Sequence, residues 1–154
     1  MISFTNKNEP AMNIQDIIQK QLDDFNRHDS DGFVSIYTNN AICYDPFYEQ
    51  PLQGKEAILQ DLVDFIKGFP DFKGNLNGNI LIHDNTAAFE LELSGTHKGD
   101  LQSPGGVIQP TNRNIRILMG RFLQFTKEGR IYSDNRYYDT MIIMVQLGLM
   151  PMNS

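Results

Sequence analysis

The segment Gly129-Arg130-Ile131-Tyr132-Ser133-Asp134-Asn135-Arg136-Tyr137-Tyr138-Asp139-Thr140 decides how this chain folds. It begins in a turn and continues as a strand, in which successive side chains point to opposite faces. Tyr132, Asp134, Arg136 and Tyr138 then share one face, and Ile131, Ser133, Asn135 and Tyr137 share the other. The run that follows, Met141 to Leu147, is almost wholly apolar and reads as a closing helix buried around most of its circumference. A strand with ionisable groups on one side, followed by such a helix, places charge beside an apolar interior.

Upstream, the apolar period changes once. Ile14, Ile17, Ile18, Leu22 and Phe25 recur at helical spacing, with Asn13 as N-cap. A short second helix is expected through Phe33, Val34, Ile36 and Tyr37, then a brief strand from Ala41 to Tyr44 that Pro46 stops. Ile58, Leu62, Phe65 and Ile66 make one face of a third helix over Gly54 to Phe69, ended by Gly68 and Pro70. From there the period is about two. Strands are expected over Leu76–His83 and Ala87–His97, joined at Asp84-Asn85, and over Asn114–Phe125 and Arg130–Tyr138. The segment Lys98 to Asn112 reads as a loop. Helices first, then an antiparallel meander and a closing helix make an α+β pattern, a curved sheet wrapped around helices.

The 154 residues fit one domain, expected over residues 12–154 behind a loose N-terminal arm of residues 1–11. That arm has no apolar core of a secretory signal, and no run approaches the ~18 apolar residues of a membrane span. A net charge of −6 without any Lys/Arg-rich stretch opposes nucleic acid as a partner. Cys43 is the sole cysteine, which excludes an internal disulfide and a thiolate metal cage. A cytoplasmic setting is the expectation. No His/Asp/Glu triplet has compact ligand spacing, so no metal is expected.

Several short motifs occur in a telling order: Tyr44-Asp45-Pro46, Gly54 before the third helix, Phe69-Pro70-Asp71, Gly95-Thr96-His97-Lys98-Gly99, Pro110-Thr111-Asn112-Arg113, Glu128-Gly129-Arg130-Ile131 and Gln146-Leu147-Gly148. With the closing strand, they give the chain from about Asn13 to Pro151 a resemblance to the SnoaL-like polyketide cyclases, of the nuclear transport factor 2-like superfamily. Asn112 stands where that family has glycine in a Pro-Thr-Gly-Arg turn, and both residues tolerate positive φ. The resemblance implies a cone-shaped α+β barrel, a hydrophobic small-molecule pocket between sheet and helices, no cofactor, and a homodimer. It also implies that Arg136 occupies the position of the family's acid/base aspartate.

On the middle strand, Ala87, Phe89, Leu91, Leu93, Gly95 and His97 share the inner face. On the next strand Ile115, Ile117, Met119, Arg121, Leu123 and Phe125 do, while Leu118 and Phe122 lie on an outer face expected to be covered as well. A charge in an apolar interior needs a partner. A polar cluster of Asp45, His97, Arg121, Asp134 and Arg136 is therefore expected in the pocket. The candidate catalytic groups are Asp134, His97 and Asp45; the candidate ligand-binding groups are Arg136, Arg121, Tyr138, Tyr44, Met119 and Met144. For each a plainer role stays open: an ion pair for Asp134 and Arg136, a strand-ending histidine for His97, an Asx-turn for Asp45, and wall or core for the tyrosines. Three functions fit these residues. One is a cofactor-free cyclase or isomerase acting on a carbonyl compound. Another is a non-catalytic binder of a lipophilic carboxylate, suggested by Arg121 and Arg136. The third is a protein-interaction module.

Overall fold

A computed structural model describes residues 13–151, so the expected arm lies outside the described residues. Helix α1 (Ile14–Asn26) starts where Asn13 accepts a hydrogen bond from the Asp16 amide at 2.8 Å. It buries Ile17 and Ile18, and with them Gln21 and Asp24. Helix α2 (Ser30–Val34) is shorter than its apolar run suggested. Tyr37 belongs instead to strand β1 (Tyr37–Tyr44), which starts four residues earlier than expected. Strand β2 (Leu52–Gln53) pairs with it, and helix α3 (Lys55–Gly68) follows.

Strands β3 (Lys73–Leu76) and β4 (Leu81–His83) both lie against β5 (Thr86–Thr96). The expected single strand Leu76–His83 is thus two, parted at Gly78, whose φ is 91°. The segment read as a plain loop carries a hairpin of β6 (Leu101–Ser103) and β7 (Gly106–Ile108). Asn112 takes a φ of 58°, the turn conformation its side chain was expected to permit. Strand β8 (Asn114–Phe125) pairs with β5 and with β9 (Ile131–Tyr137), and helix α4 (Thr140–Gln146) closes the chain behind an Asp139 cap.

The main sheet runs β2-β1-β9-β8-β5-β3, with β4 also on β5, and β1 and β9 are parallel while the other pairs are antiparallel. This is a mixed, curved sheet whose inner face packs on the helices. Inner residues of β5 and β8 alternate as expected, from Ala87 to Gly95 and from Ile115 to Phe125. On β9 the alternation fails at its start. The register slips between Gln124 and Phe125, so that Ile131 is buried and Tyr132 points out. A bulge of this kind adds one residue and turns the strand over. Beyond it Asp134 and Arg136 face inward, as the alternation required.

Two apolar groups are less covered than their sequence suggested. Leu118 and Phe122 are 54% and 52% exposed on the outer sheet face, together with Ile42, Tyr44 and Tyr137. On α4, Met141 is 61% exposed, and Leu149 and Met150 beyond it are also exposed, because the helix lies along β8 and buries chiefly Ile143 and then Leu147.

The Gly95-to-Gly99 motif fixes the hairpin to α3. The amides of Lys98 and Gly99 both donate to the Gly68 carbonyl, at 3.0 and 3.2 Å. A Cβ on Gly99 would lie 1.9 Å from the Lys67 carbonyl oxygen, and neither backbone can yield. Gly99→Ala is expected to cost about 1–3 kcal/mol, the usual range for overpacking, read as a lower urea midpoint with unchanged slope.

Candidate functional site

Three strands bring the charged groups together. Arg121 of β8 and Arg136 of β9 are direct cross-strand partners on the inner face. Like charges so placed repel. Asp134, two residues before Arg136 and diagonal to Arg121, relieves that repulsion. Arg121 Nη2 donates to Asp134 Oδ2 at 2.8 Å and its Nε to Oδ1 at 3.3 Å, while Arg136 Nε donates to Oδ2 at 3.4 Å. Tyr37 at the start of β1 donates its hydroxyl proton to the same Oδ2 at 2.6 Å. Arg121 also donates to Gln21 Oε1 (3.0 Å) and to the Tyr37 oxygen (3.1 Å), and lies over the Phe89 ring.

Parallel pairing of β1 with β9 aligns Cys43 with Asp134 and Tyr44 with Asn135, which sets Asp45 beside Arg136. Arg136 Nη1 donates to Asp45 Oδ2 (3.2 Å) and, across the interior, to Oδ2 of Asp61 on α3 (3.1 Å). Each of these carboxylates also receives a tyrosine hydroxyl. Tyr138 donates to Asp45 Oδ1, and Tyr48 to Asp61 Oδ1 at 2.6 Å. Asp45 accepts the Phe47 amide as well, at 2.9 Å, so it serves in an Asx-turn and in the cluster together.

These groups end an apolar cavity of about 120 Å³, near the size that admits a benzene-sized ring. Phe33, Phe47, Phe65, Phe69, Phe72 and Phe89 line it with several leucines and isoleucines, and the cavity opens to solvent. Its polar wall is Asp45, Tyr48, Asp61, Asp64, Gln102, Arg121, Arg136 and Tyr138. Of the residues singled out from sequence, Asp45, Arg121, Arg136, Tyr138 and Met119 line the cavity.

The others lie elsewhere. Asp134 has no exposed surface and sits behind the two arginines. Burial alone would raise its pKa, but Arg121 and then Arg136 outweigh it and hold the carboxyl at about 2. It is a structural anion, not a base within reach of a ligand. His97 is fully buried at the far end of the inner face. Its ring stacks on Phe69 at 5.3 Å, and Phe69 lines the cavity in its place. The Thr111 amide donates to His97 Nδ1 at 3.2 Å, and burial lowers the imidazole pKa, which keeps the ring neutral. Four of the five expected cluster members converge and His97 does not. Tyr44 points outward, because Cys43 takes the inner face, and it packs on Tyr137 at 5.8 Å. Met144 does not reach the cavity; Ile143, the preceding residue on α4, does.

Sequence reasoning missed Asp61, Tyr37 and Gln21. Asp61 had a signal: it lies three residues after Ile58 and four before Phe65, both on the apolar face of α3. Burial raises the Asp61 pKa despite the opposing pull of Arg136 and the Tyr48 hydrogen bond. Burial and then the adjoining carboxylates raise the hydroxyls of Tyr48 and Tyr138 as well, so both remain protonated. Among the described residues no group of three or more His, Cys, Asp or Glu is arranged to hold a metal ion, and no helix is long and apolar enough to cross a membrane.

A family model for SnoaL-like polyketide cyclases matches residues 16–147. The chain belongs to the SnoaL-like polyketide cyclase family. Solved structures agree on the fold. AclR from Streptomyces galilaeus, provisionally assigned as a hydroxylase, superposes with a TM-score of 0.77 at 17% identity, over 92% of this chain and 88% of its own. A provisionally assigned SnoaL-like polyketide cyclase from Jannaschia sp. CCS1 gives 0.75 at 14% identity, over 90% and 93%. A protein of ketosteroid isomerase-like fold from Catenulispora acidiphila DSM 44928 gives 0.70 at 16% identity, over 87% and 93%. At such identities the likeness is one of fold. No curated protein matches the sequence.

Removing Asp134 leaves two buried guanidinium groups facing each other. Asp134→Ala is expected to cost about 3–5 kcal/mol by urea unfolding. The wild-type carboxyl titrates at about 2 when folded, against 3.8 as its ordinary value. Its stabilising contribution is therefore complete above about pH 4 and is lost as the pH falls through about 2. An acid-unfolding curve of the variant is expected to lack that component.

Proposed function

We propose that this member of the family is a cofactor-independent enzyme acting on a neutral, largely apolar substrate with a ketone or similar carbonyl at one end. The observation that carries the reading is the segregation of the cavity, with aromatic and aliphatic walls around a single polar end where Asp45, Arg136 and Tyr138 meet. The apolar part would fix the substrate's conformation. Asp45, on the cavity wall, would take a proton from the carbon next to the carbonyl. Arg136 and the Tyr138 hydroxyl would offset the negative charge that develops on oxygen. Proton abstraction of this kind opens the way to isomerisation or to aldol-type ring closure, and the family is named for cyclases.

The arginines do not favour a carboxylate ligand. Arg121 spends its nitrogens on Asp134, Gln21 and Tyr37, and Arg136 is shared among Asp134, Asp45 and Asp61. An added anion would meet an end already rich in carboxylates.

The test uses 2-indanone, an apolar ring system with an acidic C–H beside its carbonyl. Wild-type protein is expected to speed exchange of those hydrogens for deuterium in D₂O, followed by proton NMR. Asp45→Asn is expected to lower the rate by about 10²–10⁴-fold, the usual contribution of a general base. Exchange at the buffer rate with wild-type protein overturns the reading.

We infer also that the exposed outer face, with Tyr44, Leu118, Phe122 and Tyr137, packs against a second copy of the chain. Aromatic clusters of this kind on a sheet face mark contact surfaces, and Phe122 and Tyr137 already meet edge to face at 6.4 Å. Sedimentation is expected to give a dimer for the wild type and a monomer for Phe122→Glu, with the helical signal unchanged. A monomeric wild type at micromolar concentration overturns this assignment.

A further inference from the structure

Asp61 reaches the polar end of the cavity from the side opposite Asp45. It comes from α3, whereas Asp45 comes from the end of β1, and one nitrogen, Arg136 Nη1, spans the two at 3.1 and 3.2 Å. The two carboxylates are not equally provided for. Asp45 accepts from the Phe47 amide, the Tyr138 hydroxyl and Arg136; Asp61 accepts from the Tyr48 hydroxyl and Arg136 alone.

The charge balance is uneven too. Two guanidinium groups face three carboxyl groups, and Asp134 claims both arginines first because it has no contact with solvent. A carboxylate left without its own cation in an apolar site takes up a proton. The groups that face Asp61 from each side are Tyr48 and Asp45 from the segment between β1 and β2, Arg136 from β9, Tyr138 after it, and Asp64 on α3 itself. Only Arg136 among them is a cation. Of the two carboxyls beside it, Asp61 has fewer donors and is the one to hold the proton, the direction in which burial also drives it.

We propose that Asp61, acting through Tyr48, is the proton donor of this pocket and the counterpart of Asp45. The assignment rests on the carbonyl chemistry given above. With Asp61 protonated, the 2.6 Å contact with Tyr48 reverses: the carboxyl O–H donates to the phenol oxygen, which frees the Tyr48 O–H for the cavity it lines. As the Asp45 carboxylate takes a proton from the substrate carbon, the C–H electron pair becomes a C=C bond and the C=O π pair moves to the carbonyl oxygen. That oxygen takes the Tyr48 proton, and Tyr48 is reprotonated by Asp61. An enol results, with Asp45 protonated and Asp61 ionised. Return of the Asp45 proton to carbon and of the enol proton to Asp61 restores the starting state, so no oxidant or cofactor is consumed.

Two measurements on the intact protein test the assignment. Carboxyl ¹³C NMR of aspartate-labelled protein, taken from about pH 4 to 8, reads the proton directly. One signal is expected to stay in the protonated position after exposed aspartates have ionised, to vanish in Asp61→Asn, and to move in Tyr48→Phe, which keeps the ring. The second measurement is the pH profile of 2-indanone exchange. Wild type is expected to give a bell, and Asp61→Asn to lose the high-pH limb and about 10-fold of the maximum rate. An Asp61 signal that titrates with the exposed aspartates overturns the proposal. So does a wild-type bell that Asp61→Asn and Tyr48→Phe both leave intact, with the base reading still standing. A wild type that promotes no exchange overturns both readings together.

Discussion

One carboxylate, Asp134, is held by two arginines and a tyrosine in the interior, and the site depends on that arrangement. Register places Arg121 and Arg136 directly opposite each other on the inner face, where two cations out of water would repel strongly. Asp134 converts the clash into a clamp. It orients the Arg136 guanidinium so that Nε turns back to Asp134 while Nη1 reaches Asp45 and Asp61. A buried ion pair of this kind adds little net stability compared with a well-packed apolar substitute. Its value is geometric, since it fixes where a charge sits in a cavity otherwise built from phenylalanine, leucine and isoleucine.

From that clamp a division of labour follows. Asp134 is ionised and sealed, so it sets the field without touching a ligand. Asp45 and Asp61 lie one step farther out, at the cavity wall, each with a tyrosine hydroxyl. The position at which the resemblance expects an acid/base aspartate holds Arg136. Carboxyl groups nevertheless surround that point, supplied by β9 itself, by the end of β1 and by α3. Within this fold, carboxyl groups can therefore reach that point from other elements while the strand position carries a cation.

Much of this was legible from residue order. The helical period of α1 and α3, the alternation on β5 and β8, and the Asp134/Arg136 face of β9 all follow from spacing, because burial on one face imposes a strict rhythm. Tyr132 broke the rhythm, because a bulge is a property of two strands and leaves no mark in one. Tyr44 needed the knowledge that Cys43 faces inward. His97 did share the inner face of β5, yet the sheet is long enough to carry it past the cavity to a place behind Phe69. Asp61 was hidden for another reason. A single acidic residue at the margin of an apolar helix face usually points to water, and only the partners on β9 and at Tyr48 reveal that this one does not. The exposure of Leu118 and Phe122 likewise depends on what covers the sheet from outside.

The parallel pairing of β1 with β9 also bears on how the chain reaches this state. Among the described residues, and apart from the two-residue β2, β1 has no neighbour but β9, whose first residue comes 87 positions after the last of β1 in the order of synthesis, from Tyr44 to Ile131. Such distant pairing is slow, because the entropy of closing the intervening chain is lost before any contact repays it. As the chain emerges, α1, α3 and the β5–β8 ribbon can associate while β1 still presents an unpaired edge and Arg121 lacks its counter-ion. The step that docks β9 completes the sheet and neutralises the interior together. A chain that ends before Ile131 lacks both Asp134 and Arg136, so the charged end of the cavity cannot form until β9 is in place.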